Sequence, residues 1–207
     1  MAKNSEIEAK IILPQKTYQQ LCDNFTIKSN FDQENYYFDT AAGSLKNMQI
    51  SCRIRIFNNY AEQTLKIPSK IAKQTNFHVA TELTDTLTLT EAQEMINSGQ
   101  QDIPVTFGKT GGHFLVEHLG QNYKLYLQTF SKTHRILAYG PKNCELTFDD
   151  TVYPDGYEDY ELEIENSKIS LISEVLNLLK KEYAIKQSPA NTNQAKIKRA
   201  FKHGARI

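Results

Sequence analysis

The sequence predicts an α+β protein built on a closed antiparallel β-barrel of about eight strands, with a polar interior and helices packed outside. Three observations support this fold. Strand-like runs with period-two alternation recur along most of the chain. Amphipathic helical segments lie between them. The polar faces of the strands are segregated by charge sign, whereas an ordinary solvated sheet face mixes the two signs.

The first strand-like run shows the pattern most clearly. Glu6, Glu8 and Lys10 alternate with apolar residues and so share one face of a strand that extends to Leu13. Further strands are expected at 31–40, 50–57, 60–67, 76–84, 122–139, 144–150 and 157–165. Helices are expected at 15–25, from an N-cap at Thr90 to Gly99, at 112–119, at 168–182 with Ser167 as the cap, and after Pro189.

The parity of the long run at 122–139 is inconsistent within itself. Leu125 and Leu127 share the parity of Arg135, so either the leucines or the arginine would face the wrong side. A β-bulge between them would reset the register. Without a bulge, Lys132 and His134 would take the place of Arg135 on the charged face.

Composition excludes several classes of protein. The chain has 207 residues, with 24 Lys+Arg balancing 24 Asp+Glu. No apolar run approaches the length of a membrane span, and the amino terminus lacks the apolar core of a signal peptide. Cys22, Cys52 and Cys144 are far apart and suit free thiols in a reducing compartment. We therefore expect one cytoplasmic domain, monomeric or homodimeric, without a membrane or nucleic-acid partner.

The charged faces are informative as a set. Any one of them alone is typical of a solvated sheet surface. Together they separate by sign: Glu6 and Glu8 are acidic, as are Glu161, Glu163 and Glu165, whereas Arg53, Arg55 and Lys66 are basic. Clustered carboxylates suit a hard divalent cation, and clustered arginines suit phosphate oxygens. In one barrel interior, these groups would bind a polyphosphate together with its metal ion.

The charged motifs, taken in order, resemble those of the CYTH superfamily, also called triphosphate tunnel metalloenzymes. That family includes class IV adenylate cyclases, thiamine triphosphatases and inorganic tripolyphosphatases. The similar motifs are Glu6-x-Glu8-x-Lys10, Arg53-x-Arg55, Thr64-Leu65-Lys66, Glu82, Thr133-His134-Arg135, Phe148-Asp149, Glu161-Leu162-Glu163, and Lys196 with Arg199. They span almost the whole chain, and the nearest similarity is to short, single-domain bacterial members.

The resemblance implies a single CYTH domain over residues 1–207, a triphosphate tunnel of eight strands, and a bulge that turns Arg135 inward. It implies that Mg²⁺ or Mn²⁺ is bound by Glu6, Glu8, Asp149, Glu161 and Glu163. It implies that the phosphates are bound by Lys10, Arg53, Arg55, Lys66, Arg135 and Lys196, with Glu82 as a tunnel residue that balances the basic cluster. The catalytic set is then Glu6, Glu8, Lys10, Glu161 and Glu163.

Several of these residues have a simpler interpretation. Lys196 is as consistent with a solvated helix lysine as with a phosphate ligand, and Glu165 extends the acidic face to a position past the tunnel mouth. His78 and His134 suit ordinary strand positions. The aromatic residues at 36–38 are typical of a core rather than of a base-stacking platform.

Three functions are consistent with these residues. The first is metal-dependent hydrolysis of a triphosphate, namely tripolyphosphate, thiamine triphosphate or a nucleoside triphosphate. The second is adenylate cyclase activity, in which ATP yields cyclic AMP and pyrophosphate. The third is a non-catalytic polyphosphate- or nucleotide-binding module, against which the full carboxylate set argues, because binding alone needs mainly the basic residues.

Overall fold

This computed structural model describes residues 2–69 and 77–204, with side chains described from residue 5 onward. The strands are β1 Ala2–Leu13, β2 Ile27–Asp39, β3 Ser51–Ile56, β4 Ala61–Pro68, β5 His78–Leu87, β6 Tyr126–Tyr139, β7 Glu145–Val152 and β8 Glu158–Glu165. The helices are α1 Gln15–Asn24, α2 Ser44–Asn47, α3 Leu89–Gln100, α4 Lys109–Leu119, α5 Ile169–Glu182 and α6 Lys196–Lys202, with a 3₁₀ turn at Pro141–Asn143.

All eight strands form one closed antiparallel barrel in the order β1-β5-β4-β3-β2-β6-β7-β8. Strand β1 closes it, because its first half pairs with β5 and its second half with β8. Glu8 lies at the changeover, opposite His78 on one side and Glu165 on the other. The predicted fold class is confirmed.

A β-bulge in β6 resolves the parity conflict. Tyr37 lies opposite Thr129, but the next residue, Phe38, lies opposite Leu127, so Gln128 is an extra residue in β6. Leu127 therefore packs outward beneath the helices, whereas Arg135 faces inward and contacts Asp149. The predicted bulge is confirmed.

The apolar faces of the strands pack against helices in two separate clusters outside the barrel. One cluster contains residues of α1 and α5 with β1, β7 and β8, including Leu21, Leu162 and Val175. The other contains residues of α3 and α4 with β3, β4 and β5, including Leu65 and Ile96. This arrangement leaves the charged faces to line the interior.

Two predicted helix caps are wrong. Helix α3 begins after Thr88 rather than Thr90. The Thr88 hydroxyl accepts a hydrogen bond from the Glu91 backbone N–H, and the Glu91 carboxylate accepts one from the Thr88 backbone N–H. Gly99 lies inside this helix, where an added Cβ would come within 2.7 Å of Leu127 on β6. At α5 the N-cap residue is Lys168, not Ser167.

Two other expectations concern covalent and membrane features. The three cysteines are free thiols, and Cys52 and Cys144 are buried. Among the described helices, none is long and apolar enough to cross a membrane.

Candidate functional site

The barrel interior holds a cavity of about 1190 Å³. Because successive strand residues point to opposite faces, the residues that line it lie at alternate positions along β1, β3 and β5, as in Glu6, Glu8 and Lys10. Ten of the twelve predicted site residues line this cavity: Glu6, Glu8, Lys10, Arg53, Arg55, Lys66, Glu82, Arg135, Glu163 and Lys196. The other two, Asp149 and Glu161, are almost completely buried just behind it, at 0% and 1% exposure.

Three carboxylates converge on this buried wall. Asp149 on β7 lies directly opposite Glu161 on β8, and Glu163 is two residues further along the same face. One oxygen from each lies within 4.8 Å of the others. Oxygen donors at this density are the ligands that a hard cation such as Mg²⁺ or Mn²⁺ requires. These residues therefore fit the divalent cation that the resemblance implies.

Two basic side chains, Arg135 and Lys196, form ion pairs with these carboxylates. Arg135 donates two hydrogen bonds to Asp149, at 2.7 and 2.6 Å, and lies 3.2 Å from Glu163. Lys196 of α6 also donates to Asp149 and lies 3.5 Å from Glu161. Burial alone would raise the pKa of Asp149, but Arg135 and Lys196 lower it below its ordinary value. The carboxylate therefore stays ionised, as a metal ligand must be.

The remaining predicted metal ligands, Glu6 and Glu8, form a second cluster around Lys66. The Lys66 ammonium contacts Glu6 and lies 2.9 Å from Glu8, and Lys10 lies 2.8 Å from Glu8. Burial and the neighbouring Glu8 raise the pKa of Glu6. The five predicted carboxylates therefore form two groups, the Asp149–Glu161–Glu163 trio and the Glu6–Glu8 pair. Lys10 lies between the two groups, because its ammonium is also 2.7 Å from Glu163.

The arginines of β3 form a third part of the site. Arg53 lies 3.6 Å from Glu82, while Arg55 donates to Asn35 at 2.9 Å and lies 3.3 Å from Glu62. Burial, together with the like charges of Arg53 and Arg135, lowers the pKa of Arg55 to about 10. The guanidinium remains charged at neutral pH. Adjacent buried cations are unfavourable, so an anion would relieve this repulsion.

Sequence reasoning did not include Arg199 and Asp159 among the site residues. Arg199 of α6 is buried and lies 2.7 Å from Asp159 and 2.8 Å from Glu161, and it donates to the Tyr153 hydroxyl at 2.9 Å. It thereby fixes α6 against the carboxylate wall. Both residues carried a signal: Asp159 has the strand parity of Glu161, and Arg199 is three residues after Lys196 on one helix.

The two histidines and the aromatic residues, for which the sequence favoured a simpler interpretation, lie in different parts of the barrel. His78 lines the cavity opposite Glu8, and burial with the Lys10 and Lys66 charges lowers its pKa to about 4, so it is neutral. His134 lies on the outer face, beside Asp32. Phe38 packs in the outer core, and Tyr37 packs in a small separate cluster with Tyr153 and with Ala200 of α6, so both aromatic residues are part of a core, as expected.

Comparison with known proteins gives one family and several related structures. The CYTH domain model matches residues 4–196. No curated protein matches the sequence. A candidate adenylate cyclase from Bacillus halodurans is 24% identical, with a TM-score of 0.76, over 97% of this chain and 100% of that one. A candidate adenylyl cyclase from Hippeastrum, described as having a dominant triphosphatase activity, is 21% identical, with a TM-score of 0.80 and 97% of both chains covered.

Proposed function

This chain belongs to the CYTH family, and we propose that it is a divalent-metal-dependent triphosphatase whose substrate enters the charged barrel. The observation that carries the proposal is the buried trio of Asp149, Glu161 and Glu163, with a cavity lined by cations directly beside it. A module that only binds phosphate needs the cations alone. The trio therefore favours a site that also holds a metal ion.

We assign the phosphate oxygens to the guanidinium groups of Arg53, Arg55 and Arg135, which can each donate two parallel hydrogen bonds. The ammonium groups of Lys10, Lys66 and Lys196 supply further charge, and Glu82 holds Arg53 in place. These fixed donors neutralise charge on the phosphoryl group as it is transferred, in a buried site where electrostatic interactions are stronger than in water.

The carboxylates Glu6, Glu8, Asp149, Glu161 and Glu163 would hold Mg²⁺ or Mn²⁺. When bound, the cation would polarise a phosphoryl oxygen and lower the pKa of a bound water. The residues' own contribution is to stay ionised and buried. Lys10 and Arg135 lower the pKa of Glu163 well below its ordinary value, against the effect of burial.

A phosphate-release assay tests the proposal. Tripolyphosphate, thiamine triphosphate and ATP are each supplied with Mg²⁺ or Mn²⁺, and with EDTA as the metal-free arm. We expect EDTA to abolish turnover, and Glu161→Gln or Glu163→Gln to lower kcat at least about 100-fold, because each removes a charged oxygen ligand. Glu158→Gln is the matched control, since Glu158 lies on the same strand but is exposed.

The products and the fold distinguish the alternatives. Formation of cyclic AMP from Mn-ATP would show that the protein is an adenylate cyclase and not a triphosphatase. Tight binding of a triphosphate in calorimetry, without turnover in either Mg²⁺ or Mn²⁺, would show that the protein is a binding module and not an enzyme. A loss of cooperative unfolding in Glu161→Gln, with normal folding and activity in Glu163→Gln, would make Glu161 a structural partner of Arg199 instead.

A further inference from the structure

A network of contacts outside the proposed phosphate site joins the carboxyl-terminal end of α6 to the turn between β7 and β8. His203, which directly follows α6, stacks its ring on that of Tyr157, with 3.9 Å between the centroids and 7° between the planes. Its Nδ1 lies 2.9 Å from Asp155 Oδ2, and the Asp155 backbone N–H donates to the His203 carbonyl oxygen at 3.2 Å. We therefore call Asp155, Tyr157 and His203 the turn clamp.

Helix α6 is too short to hold its position alone. It has seven residues, whereas an isolated helix shorter than about 12–15 residues is marginal in water. Its N-cap residue is Ala195, whose methyl group cannot accept a capping hydrogen bond. The position of the helix therefore depends on contacts with the barrel, and the turn clamp supplies such contacts at the end opposite Lys196.

Tyr153 connects the turn clamp with the carboxylate wall. Its ring lies 5.7 Å from that of His203, and its hydroxyl accepts a hydrogen bond from Arg199 at 2.9 Å. Arg199 in turn lies 2.8 Å from Glu161, and Lys196, one helical turn earlier, lies 3.5 Å from the same carboxylate. A displacement of the clamped end of α6 would therefore move both cations relative to this wall.

The turn clamp is separate from the cavity. In the part of the chain that the structure describes, the cavity is lined by α6 residues up to Lys202, and none of the three clamp residues takes part. The Asp155 side chain and Tyr157 are 44% and 46% exposed. Substitutions there should leave the barrel folded, because exposed positions away from the core contribute little to stability.

We infer that the turn clamp positions α6, so that its three residues control phosphate binding through Lys196 without touching the substrate. This inference rests on the proposed function, in which Lys196 is a phosphate ligand. Loss of the clamp frees one end of the helix, and the lysine at the other end loses the fixed position that a charge-assisted hydrogen bond requires. Asp155, Tyr157 and His203 are therefore positioning residues.

A matched pair of substitutions at Tyr157 tests the turn clamp. Y157F keeps the ring that stacks on His203, whereas Y157A removes it. We expect Y157A to raise KM for tripolyphosphate about tenfold or more and to change kcat less than about threefold, because Lys196 loses a fixed contact to the bound phosphate. Y157F should keep the wild-type KM, as should the control Y139A, which removes an exposed tyrosine outside the cavity.

A double-mutant cycle with K196Q separates positioning from a general loss of structure. If the clamp acts through Lys196, Y157A should raise KM less than about twofold in the K196Q background, because the positioned group is already absent. A tenfold rise in both backgrounds would overturn the inference. An unchanged KM in Y157A, or an equal rise in Y157F, would overturn it as well.

Two further measurements make the test independent of one variant and of turnover. H203Q removes the stacked ring from the helix side, and we expect the same rise in KM as in Y157A. If no triphosphate is hydrolysed, the proposed function alone fails. Calorimetric titration with tripolyphosphate and Mg²⁺ then decides the clamp: binding about tenfold weaker in Y157A but unchanged in Y157F supports it, and equal binding by the two variants refutes it.

Discussion

Two half-buried arginines of the barrel, Arg135 and Arg55, differ in the charges that surround them. Arg135 forms a two-hydrogen-bond pair with Asp149, which is 0% exposed. Arg55 contacts Asn35 and one carboxylate, and it also faces the like charges of Arg53 and Arg135. Burial of a paired charge is tolerated, but a buried charge that loses its partner is strongly unfavourable. The first arginine therefore has a structural role in addition to any role in binding.

The predicted consequence is a contrast between Arg135→Gln and Arg55→Gln in the ligand-free protein. We expect Arg135→Gln to lower the free energy of unfolding by about 3 kcal/mol, because Asp149 loses its principal partner. Arg55→Gln should change it by less than about 1 kcal/mol, since the lost hydrogen bonds are offset by relief of repulsion. Urea denaturation measures both values.

Both variants should lose the stabilisation that tripolyphosphate gives to the wild-type protein in thermal unfolding, because binding to the folded state raises its apparent stability. If Arg135→Gln and Arg55→Gln lowered the free energy of unfolding equally, the predicted difference between the two arginines would be contradicted. Retention of the full thermal shift in Arg55→Gln would remove that residue from the phosphate site.

At the residue scale, the sequence predicted which side chains enter the barrel because strand parity is a local property. Ten of the twelve predicted residues line the cavity, and parity also explains the inward face of Arg135 once the bulge at Gln128 is included. The ion pairs could not be predicted in this way. Arg199 reaches Asp159 and Glu161 from a helix almost forty residues later, and no local pattern fixes that approach.

At the scale of single elements, α4 shows how a helix end depends on distant residues. Its N-cap residue is Gly108, which has no side chain to accept a hydrogen bond. Asp85 on β5 accepts one instead from the Gly111 backbone N–H, at 2.9 Å. Gln63 donates to both Asp85 and the Gly108 carbonyl oxygen, at 3.1 and 2.6 Å. Sequence analysis placed this helix too short, at 112–119, because its start is set by β4 and β5.

We predict that Asp85→Asn destabilises the fold near neutral pH by about 1–2 kcal/mol. Gly111 and Gln63 both donate to one oxygen of the ionised carboxylate, and the neutral asparagine carbonyl is a weaker acceptor for the same two hydrogen bonds. Burial opposes ionisation of Asp85, but the Gly111 and Gln63 hydrogen bonds lower its pKa below the ordinary value. Its contribution is therefore fully present above the unfolded-state pKa of about 3.9 and is lost as the pH falls through the lower folded-state value.

Urea denaturation across this pH range is the measurement. The gap in stability between the wild-type protein and Asp85→Asn should shrink as the solution becomes acidic. Glu117→Gln, an exposed substitution on the same helix, is the control and should show no comparable gap at any pH. A gap that stays constant, or widens in acid, would show that the ionised carboxylate does not support α4.

At the scale of the whole molecule, the overall charge balance conceals the organisation of the protein. The equal numbers of acidic and basic residues give no net charge, yet strand parity concentrates both kinds inside the barrel. The alternation predicted the inward polar face and the outer helices. It could not predict the strand order, in which β1 joins β5 to β8, because pairing between strands distant in sequence depends on closure of the whole sheet.

In the part of the chain that the structure describes, the two large apolar clusters lie outside the barrel, and they are connected through its strands. Ile54 belongs to the cluster under α3 and α4, Ile164 belongs to the cluster under α1 and α5, and both are 0% exposed. Each Ile→Val substitution should cost about 0.5–1.5 kcal/mol. Because the closed barrel makes both clusters part of one sheet, we expect a single unfolding transition in every variant.

The double variant Ile54→Val/Ile164→Val tests this arrangement. Its loss of stability should equal the sum of the single losses within about 0.5 kcal/mol, because the two residues belong to separate clusters. The control pairs Ile164→Val with Leu146→Ala, which are directly opposed on β8 and β7 and should deviate from additivity by more than that. Far-UV circular dichroism and tyrosine fluorescence follow unfolding, since the chain has 11 tyrosines and no tryptophan. Two separate transitions, or strong coupling between Ile54 and Ile164, would contradict two packing clusters joined by one cooperative barrel.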